Sequence, residues 1–213
     1  MLIEQIMTRD VITLDADATI KEAMRLIELH KIKHIPIVDE DHHIIGIVSD
    51  RDIRDASPSI FHATDHLEDF HKPVSTIMKR GVITAHPLDF VEEISNIFYE
   101  HHIGCLPIID SGRLVGLITE KDVLHTLVEL IGANQPSSHI EIKVENITGK
   151  LADIATIFKL NKVNITSVLV YPYKDPAYKV LTFRVQTMDP RRLIAILEEQ
   201  GYEVLSPGEP RLS

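Results

Sequence analysis

Three blocks of sequence occur twice in this chain, in the same order. Ile6-Met7-Thr8-Arg9-Asp10-Val11-Ile12-Thr13 returns as Ile77-Met78-Lys79-Arg80-Gly81-Val82-Ile83-Thr84. His34-Ile35-Pro36-Ile37-Val38-Asp39 returns as Cys105-Leu106-Pro107-Ile108-Ile109-Asp110, and Gly46-Ile47-Val48-Ser49-Asp50-Arg51-Asp52 as Gly116-Leu117-Ile118-Thr119-Glu120-Lys121-Asp122. Pro36 and Pro107 are 71 residues apart, Asp52 and Asp122 70. The slip of one falls in a turn, where Glu40–His43 gives way to the tighter Ser111-Gly112-Arg113. Ordered blocks with a single turn-sized slip mark an internal duplication.

Each copy carries the same expected elements. An extended stretch ends at Thr13 or Thr84. An amphipathic helix follows, with Ile20, Ala23, Met24 and Ile27, or Val91, Ile94 and Phe98, at helical spacing. Asp17 and Asp89 are its expected N-caps. Two apolar strands come next, and a second helix begins after Ser49 or Thr119. Neither copy has the apolar surface to stand comfortably alone, so the pair is expected to pack sheet to sheet as one globule. Copy 1 spans residues 1–56, a link 57–72 and copy 2 73–132.

A loop-rich linker, 133–138, leads to residues 139–213, which repeat neither copy. Ile140, Ile142 and Val144 alternate as a strand; Leu151, Ile154, Ala155 and Phe158 follow at helical spacing. Ile165–Val170 and Val180–Val185 read as strands, Pro190–Gln200 as a helix and Tyr202–Leu205 as a last strand. That order is βαββαβ, the split β-α-β layout with helices on one face of an antiparallel sheet. The fold class is therefore α/β in the broad sense (α+β), in two different kinds of module.

Charge and composition narrow the function classes. The formal net charge is −10, with 10 Lys and Arg against 9 Asp and Glu from Ser138 onward and 12 against 23 before it. An acidic N-terminal region is a poor match for a phosphate backbone, which argues against nucleic acid as a partner. The apolar runs are strand-sized, short of the ~18–20 residues of a spanning helix, which argues against a membrane. The start lacks a basic stretch followed by an apolar core, and Cys105 is the single cysteine, so the expectation is a cytosolic chain without a disulfide framework.

The informative residues are Ser49-x-x-Asp52 and Thr119-x-x-Asp122. Their simplest role is a helix-start capping box. Yet the pattern comes twice, each time after a strand bearing Gly46 or Gly116 and each time with a basic residue inside it, Arg51 or Lys121. A carboxylate at the mouth of a cleft accepts two hydroxyl hydrogen bonds, which suits a ribose diol. A hydroxyl, a helix N-terminus and a cation suit an adjacent phosphate.

On these motifs residues 3–130 resemble a tandem pair of CBS motifs, a module that binds adenine nucleotides or related adenosyl ligands and regulates a partner. The resemblance implies that Asp52 and Asp122 hold ribose, with Ser49 and Thr119 near ribose or phosphate. It implies that backbone around Thr13 and His34, Ile35 and Pro36, and around Thr84 and Cys105, Leu106 and Pro107, frames the base. AMP, ADP, ATP and S-adenosylmethionine are the candidate ligands.

The last third resembles an ACT domain, a ferredoxin-like βαββαβ unit that takes amino acids or similar effectors and pairs side by side. The pattern is Val144-Glu145-Asn146-Ile147-Thr148-Gly149-Lys150-Leu151, followed by Val163-Asn164-Ile165. Thr148 stands where the family usually has Pro. The resemblance implies an effector at the turn before the first helix, with Gly149 letting backbone approach closely; a pairing module without effector is the alternative. Two CBS motifs followed by an ACT domain also resemble a group associated with growth on acetoin or butanediol in spore-forming bacteria. A homodimer is expected by resemblance, together with a regulated partner protein that the sequence does not identify.

Other chemistry finds little support. His62 and His66 are spaced i, i+4, with His71 nearby, and His42–His43 and His101–His102 are adjacent pairs, but no HExxH or cysteine cluster accompanies them. Cys105 has no base partner in the sequence and reads as a small buried residue. Nucleophile elbow and phosphate-binding glycine loop are both missing, so no enzyme is expected. Two classes remain: a ligand-operated regulator, and a constitutive assembly protein whose clefts are empty.

Overall fold

The computed structural model describes residues 1–56 and 70–206, and divides the chain into two compact units, Met1–Leu124 and His125–Ser213. The first unit holds both repeats. In repeat 1, helix α1 (Ile20–His30) is followed by strands β1 (His34–Val38) and β2 (Ile44–Ser49) and helix α2 (Asp50–Ala56). In repeat 2, α3 (Val91–His101), β3 (Cys105–Asp110), β4 (Arg113–Thr119) and α4 (Glu120–Ile131) follow the same order, and α4 runs on across the boundary between the units.

The helix starts differ from expectation. Thr19 caps α1: its hydroxyl accepts the Glu22 amide at 3.2 Å, and the Glu22 carboxylate accepts the Thr19 amide at 3.3 Å. Asp17 is not the cap, because Asp15 turns the chain first, accepting the amides of Asp17 and Ala18 at 3.0 and 2.8 Å. Asp89 is not the cap of α3 either; it accepts the His86 amide at 2.7 Å, and Glu93 reaches back to the Phe90 amide at 3.1 Å. In both repeats the turn before the helix takes the aspartate, and a glutamate inside the helix serves the cap.

Each strand pair is antiparallel, His34↔Ser49 through Val38↔Ile44 and Cys105↔Thr119 through Asp110↔Arg113. The extended stretches join them in parallel one residue beyond Thr13 and Thr84, as bridges Leu14↔Ile37 and Ala85↔Ile108. The carbonyls of Pro36 and Pro107 accept the Leu14 and Ala85 amides at 3.2 and 3.1 Å. Proline offers an acceptor and no donor, so it suits a strand at that seam.

The two repeats exchange their first segments. Ile3 and Met7, from the start of repeat 1, are buried in the core of Val91, Ile94, Phe98, Leu106, Ile108 and Ile118. Val74 and Met78, from the start of repeat 2, are buried with Ile20, Ala23, Ile35, Ile37 and Val48. Backbone pairing fixes the exchange: Thr8 and Leu117 exchange two hydrogen bonds at 2.9 Å, and Lys79 and Ile47 do so at 2.9 and 3.0 Å. Glycine makes room for it. A Cβ on Gly46 would lie 2.5 Å from Met78 Sδ, and one on Gly116 2.5 Å from Met7 Sδ.

The second unit contains β5 (Ser138–Glu145), α5 (Lys150–Leu160), β6 (Ile165–Pro172), β7 (Tyr178–Val185), α6 (Arg191–Glu199) and β8 (Glu203–Ser206). Its sheet has the order β6-β7-β5-β8, antiparallel throughout. Alternation along β5 buries Ile140, Ile142 and Val144 against Phe158 of α5 and Leu193 and Leu197 of α6. Phe158 and Phe183 meet edge to face at 4.8 Å. Among the described residues no helix is long and apolar enough to cross a membrane.

Candidate functional site

Two clefts open in the first unit, one at each Ser/Thr-x-x-Asp. In the first, of about 530 Å³, Thr119, Glu120, Lys121 and Asp122 face the segments Thr8–Ile12 and Lys31–His34 across Gly104. In the second, of about 380 Å³, Ser49, Arg51, Asp52 and Arg54 face Lys79 and the segment His102–Cys105. Both volumes lie in the range of small-molecule pockets. The capping box forms at both sites. Asp52 Oδ2 accepts the Ser49 amide at 2.8 Å and hydroxyl at 2.5 Å, and Asp122 Oδ2 accepts the Thr119 amide at 2.9 Å and hydroxyl at 2.7 Å. The cap uses one carboxylate oxygen at each site; at Asp52 the other, Oδ1, lies 3.2 Å from Lys79 Nζ, an exposed ammonium.

The clefts are composite. Asp122 belongs to repeat 2, but the walls opposite it, Val11, Ile12, Ile32 and His34, come from repeat 1. Asp52 belongs to repeat 1, and His102, Ile103, Cys105 and Lys79 come from repeat 2. The segment exchange causes this, by laying each start segment beside the other repeat's last strand. Both first helices end on a left-handed residue, Lys31 at φ 54° and His102 at φ 52°, and these equivalent turns deliver the chain to the two clefts.

The sequence candidates divide accordingly. His34, Thr119, Lys121 and Asp122 line the first cleft; His34, Ser49, Arg51, Asp52 and Cys105 line the second. Thr13, Ile35, Pro36, Thr84, Leu106 and Pro107 line neither. Ile35 and Leu106 are fully buried in the two cores, since alternation along a strand sends them away from the cleft side. Sequence reasoning missed Lys79, Lys33, Ile12, Ile32 and Gly104. The one available signal was the Thr8/Lys79 difference between otherwise similar blocks.

Electrostatics differ between named groups. Burial raises the Asp52 carboxyl, but the Ser49 hydroxyl and amide and Lys79 together outweigh it and hold the group below its ordinary range. Lys79 Nζ lies 3.2 Å from Asp52 Oδ1. Burial lowers His34 from the usual 6.5, more than Asp50 and Asp52 raise it. Burial, with Asp122 adding to it, pushes the Cys105 thiol up to about 12, which makes it a poor nucleophile. Among the described residues no group of three or more His, Cys, Asp or Glu could hold a metal ion; His62 and His66 lie outside the described residues.

In the second unit the candidate effector residues are not brought together. Asn146, Ile147, Thr148, Gly149, Lys150 and Leu151 follow the last residue of β5. The Asn146 amide donates to the Ala177 carbonyl at 2.8 Å, and Lys179 donates to the Ile147 carbonyl at 3.1 Å. Asn164 and Ile165 lie at the other end of the sheet, where Asn164 donates to Gln186 at 2.9 Å and Ile165 pairs with Val185, opposite Ser138. The strand between spans roughly 24 Å. Gly149 has φ 90° and open space where a Cβ would be, so its glycine serves the backbone turn.

Comparison with known proteins agrees with the duplication. The pattern described as the CBS domain matches residues 3–59 and again 74–129. A CBS domain-containing protein of Dictyostelium discoideum is 33% identical over 144 residues, 65% of this chain and 99% of that one. The inosine-5′-monophosphate dehydrogenase of Aquifex aeolicus is 38% identical over 115 residues, but that match spans 53% of this chain and 22% of the enzyme. Among solved structures, a candidate acetoin utilization protein (AcuB) from Vibrio cholerae has 31% identity and a TM-score of 0.55, covering 65% of this chain and 98% of that one. The CBS domain pair of protein MJ0100, solved with 5′-methylthioadenosine and S-adenosyl-L-methionine, has 29% identity and a TM-score of 0.53, covering 63% and 98%. With both repeats matched over half its length, the chain belongs to the CBS-domain family.

Proposed function

We propose that this chain is a non-catalytic regulator that senses an adenosyl ligand, AMP, ADP, ATP or S-adenosylmethionine, in one or both composite clefts. The observation that carries the reading is the repeated carboxylate, Asp52 or Asp122, braced by its hydroxyl neighbour at the edge of a cleft of nucleoside size. The MJ0100 pair, crystallised with two adenosyl compounds, supports the ligand class. A ligand drawing one wall toward the other shifts the balance between conformations by its difference in affinity for them, and a partner protein reads that shift.

The same reading takes the second unit as an ACT domain, supported by its βαββαβ order and sheet order. Its effector site would lie at the Asn146–Leu151 turn, with Asn164 and Ile165 supplied by a second copy in a side-by-side homodimer. The likeness to the Vibrio cholerae protein supports a regulated partner in acetoin or butanediol utilisation. A constitutive dimeric scaffold is the second reading, favoured by the caps that already occupy one oxygen of each carboxylate.

Calorimetric titration of the full chain with AMP, ADP, ATP and S-adenosylmethionine tests the proposal. Saturable binding is expected, weakened about 10- to 100-fold, ~1.5–3 kcal/mol, by Asp52→Ala or Asp122→Ala. Binding unchanged in both variants sinks the ribose role; binding by none of the four leaves the scaffold.

A further inference from the structure

The repeat makes the two clefts equivalent in position and leaves them unlike in chemistry. Around Asp52 the charged lining is Lys33, Arg51, Arg54 and Lys79 against Asp50 and Asp52, an excess of two cations. Arg54 pairs with Asp50 at 3.3 Å and Lys79 with Asp52 at 3.2 Å. Lys33 and Arg51 have no ion pair among the described residues and stand at the exposed rim. The rings of His34 and His102 border the same space. Around Asp122 the lining is Lys31, Lys33 and Lys121 against Asp10, Glu120 and Asp122, which balances. There the residue equivalent to Lys79 is Thr8, which brings no cation, and Val11, Ile12, Ile32 and Leu117 give a broader apolar wall.

We infer that the clefts take adenosyl ligands of different charge, the Asp52 cleft a nucleoside di- or triphosphate and the Asp122 cleft an adenosyl compound of little net charge. This rests on the adenosyl reading above and adds the ligand class of each cleft. Phosphates need a net excess of cations, which the Asp52 cleft has, with Lys33 and Arg51 at its mouth. In the Asp122 cleft Lys31, Lys33 and Lys121, equally without an ion pair among the described residues, are balanced by Asp10, Glu120 and Asp122. A neutral nucleoside with an apolar substituent gains nothing from those cations and gains burial from Val11, Ile12 and Ile32.

The test uses ADP and 5′-methylthioadenosine as probes, titrated into the full chain and into Asp52→Ala, Asp122→Ala and Arg51→Gln. Arg51 is exposed, so its variant separates charge from folding. ADP affinity is expected to fall about tenfold or more in Asp52→Ala and Arg51→Gln, and to weaken with added salt. Methylthioadenosine affinity is expected to fall in Asp122→Ala alone, and to be insensitive to salt. Loss of both probes in the same aspartate variant, or ADP affinity unchanged in Arg51→Gln, overturns the assignment while the adenosyl reading stands. Failure of the unaltered chain to bind either probe overturns the assignment, and failure to bind AMP, ATP and S-adenosylmethionine as well overturns the adenosyl reading too.

Discussion

Lys79 Nζ lies 3.2 Å from Asp52 Oδ1, joining the first segment of one repeat to the cleft carboxylate of the other. The carboxylate side is nearly buried and the ammonium side is 67% exposed. An ion pair with one partner in water contributes modestly, so Lys79→Ala is expected to cost under ~1 kcal/mol in urea unfolding. It should also move the Asp52 carboxyl up toward its ordinary value of 3.8, followed by NMR titration. Because the folded-state value is depressed, the stabilisation from Asp52 is full above 3.8 and is lost as pH falls from there through the lower folded-state value.

His34 gives the same pH sign for a different reason. Burial disfavours its imidazolium, and the charges facing it are Asp50 and Asp52 in its favour and Lys33 and Lys79 against. The unfolded chain therefore takes up this proton more readily than the folded one. The contribution of His34 is full above 6.5 and declines as pH falls through that value. Urea midpoints measured either side of it should drop more on the acid side for the native chain than for His34→Gln. Equal drops would show that this ring does not sense the fold.

Gly46 and Gly116 are predicted to resist substitution for a packing reason. A methyl at Gly46 meets Met78 Sδ at 2.5 Å and the Lys79 carbonyl at 3.2 Å. Gly46→Ala is expected to cost about 1–3 kcal/mol. Combined with Met78→Ala the two losses should not add, since the smaller side chain vacates the space the methyl needs. Additive losses in a double-mutant cycle would place the strain elsewhere.

Cys105 should be chemically silent in the folded chain. It is 5% exposed and its thiol is pushed up to about 12. A disulfide thiol reagent at mildly alkaline pH is expected to react only as the chain unfolds, so that modification tracks the urea transition. Fast labelling of the native chain would contradict the burial.

Much of this was legible in the sequence. The duplication, the order of elements in each repeat and the βαββαβ order of the second unit all follow from block similarity and from apolar spacing along Ile140–Val144 or Ile20–Ile27. Two things were not. The caps were misjudged at Asp17 and Asp89, because an aspartate can close the preceding turn as readily as a helix, and only the three-dimensional path decides. The composite clefts were invisible because Ile6–Thr13 and Ile77–Thr84 are nearly alike. Similarity says that both segments pair with a β2-like strand, but it cannot say whose. The structure shows which pairing is taken, with Met7 and Met78 each buried in the core of the other repeat.

The exchange of first segments also binds the inheritance of the two halves. A cleft that stopped binding would still have to keep its repeat intact, because Val74 and Met78 complete the neighbour's interior, as Ile3 and Met7 do in return. Deleting either copy removes a plug from the other. A gene encoding one half would make a chain with an open interior and a surplus plug, and two such chains would have to trade those plugs with each other to fold. The duplication, once folded this way, is a ratchet: the copies are free to diverge in what they hold, and not free to part.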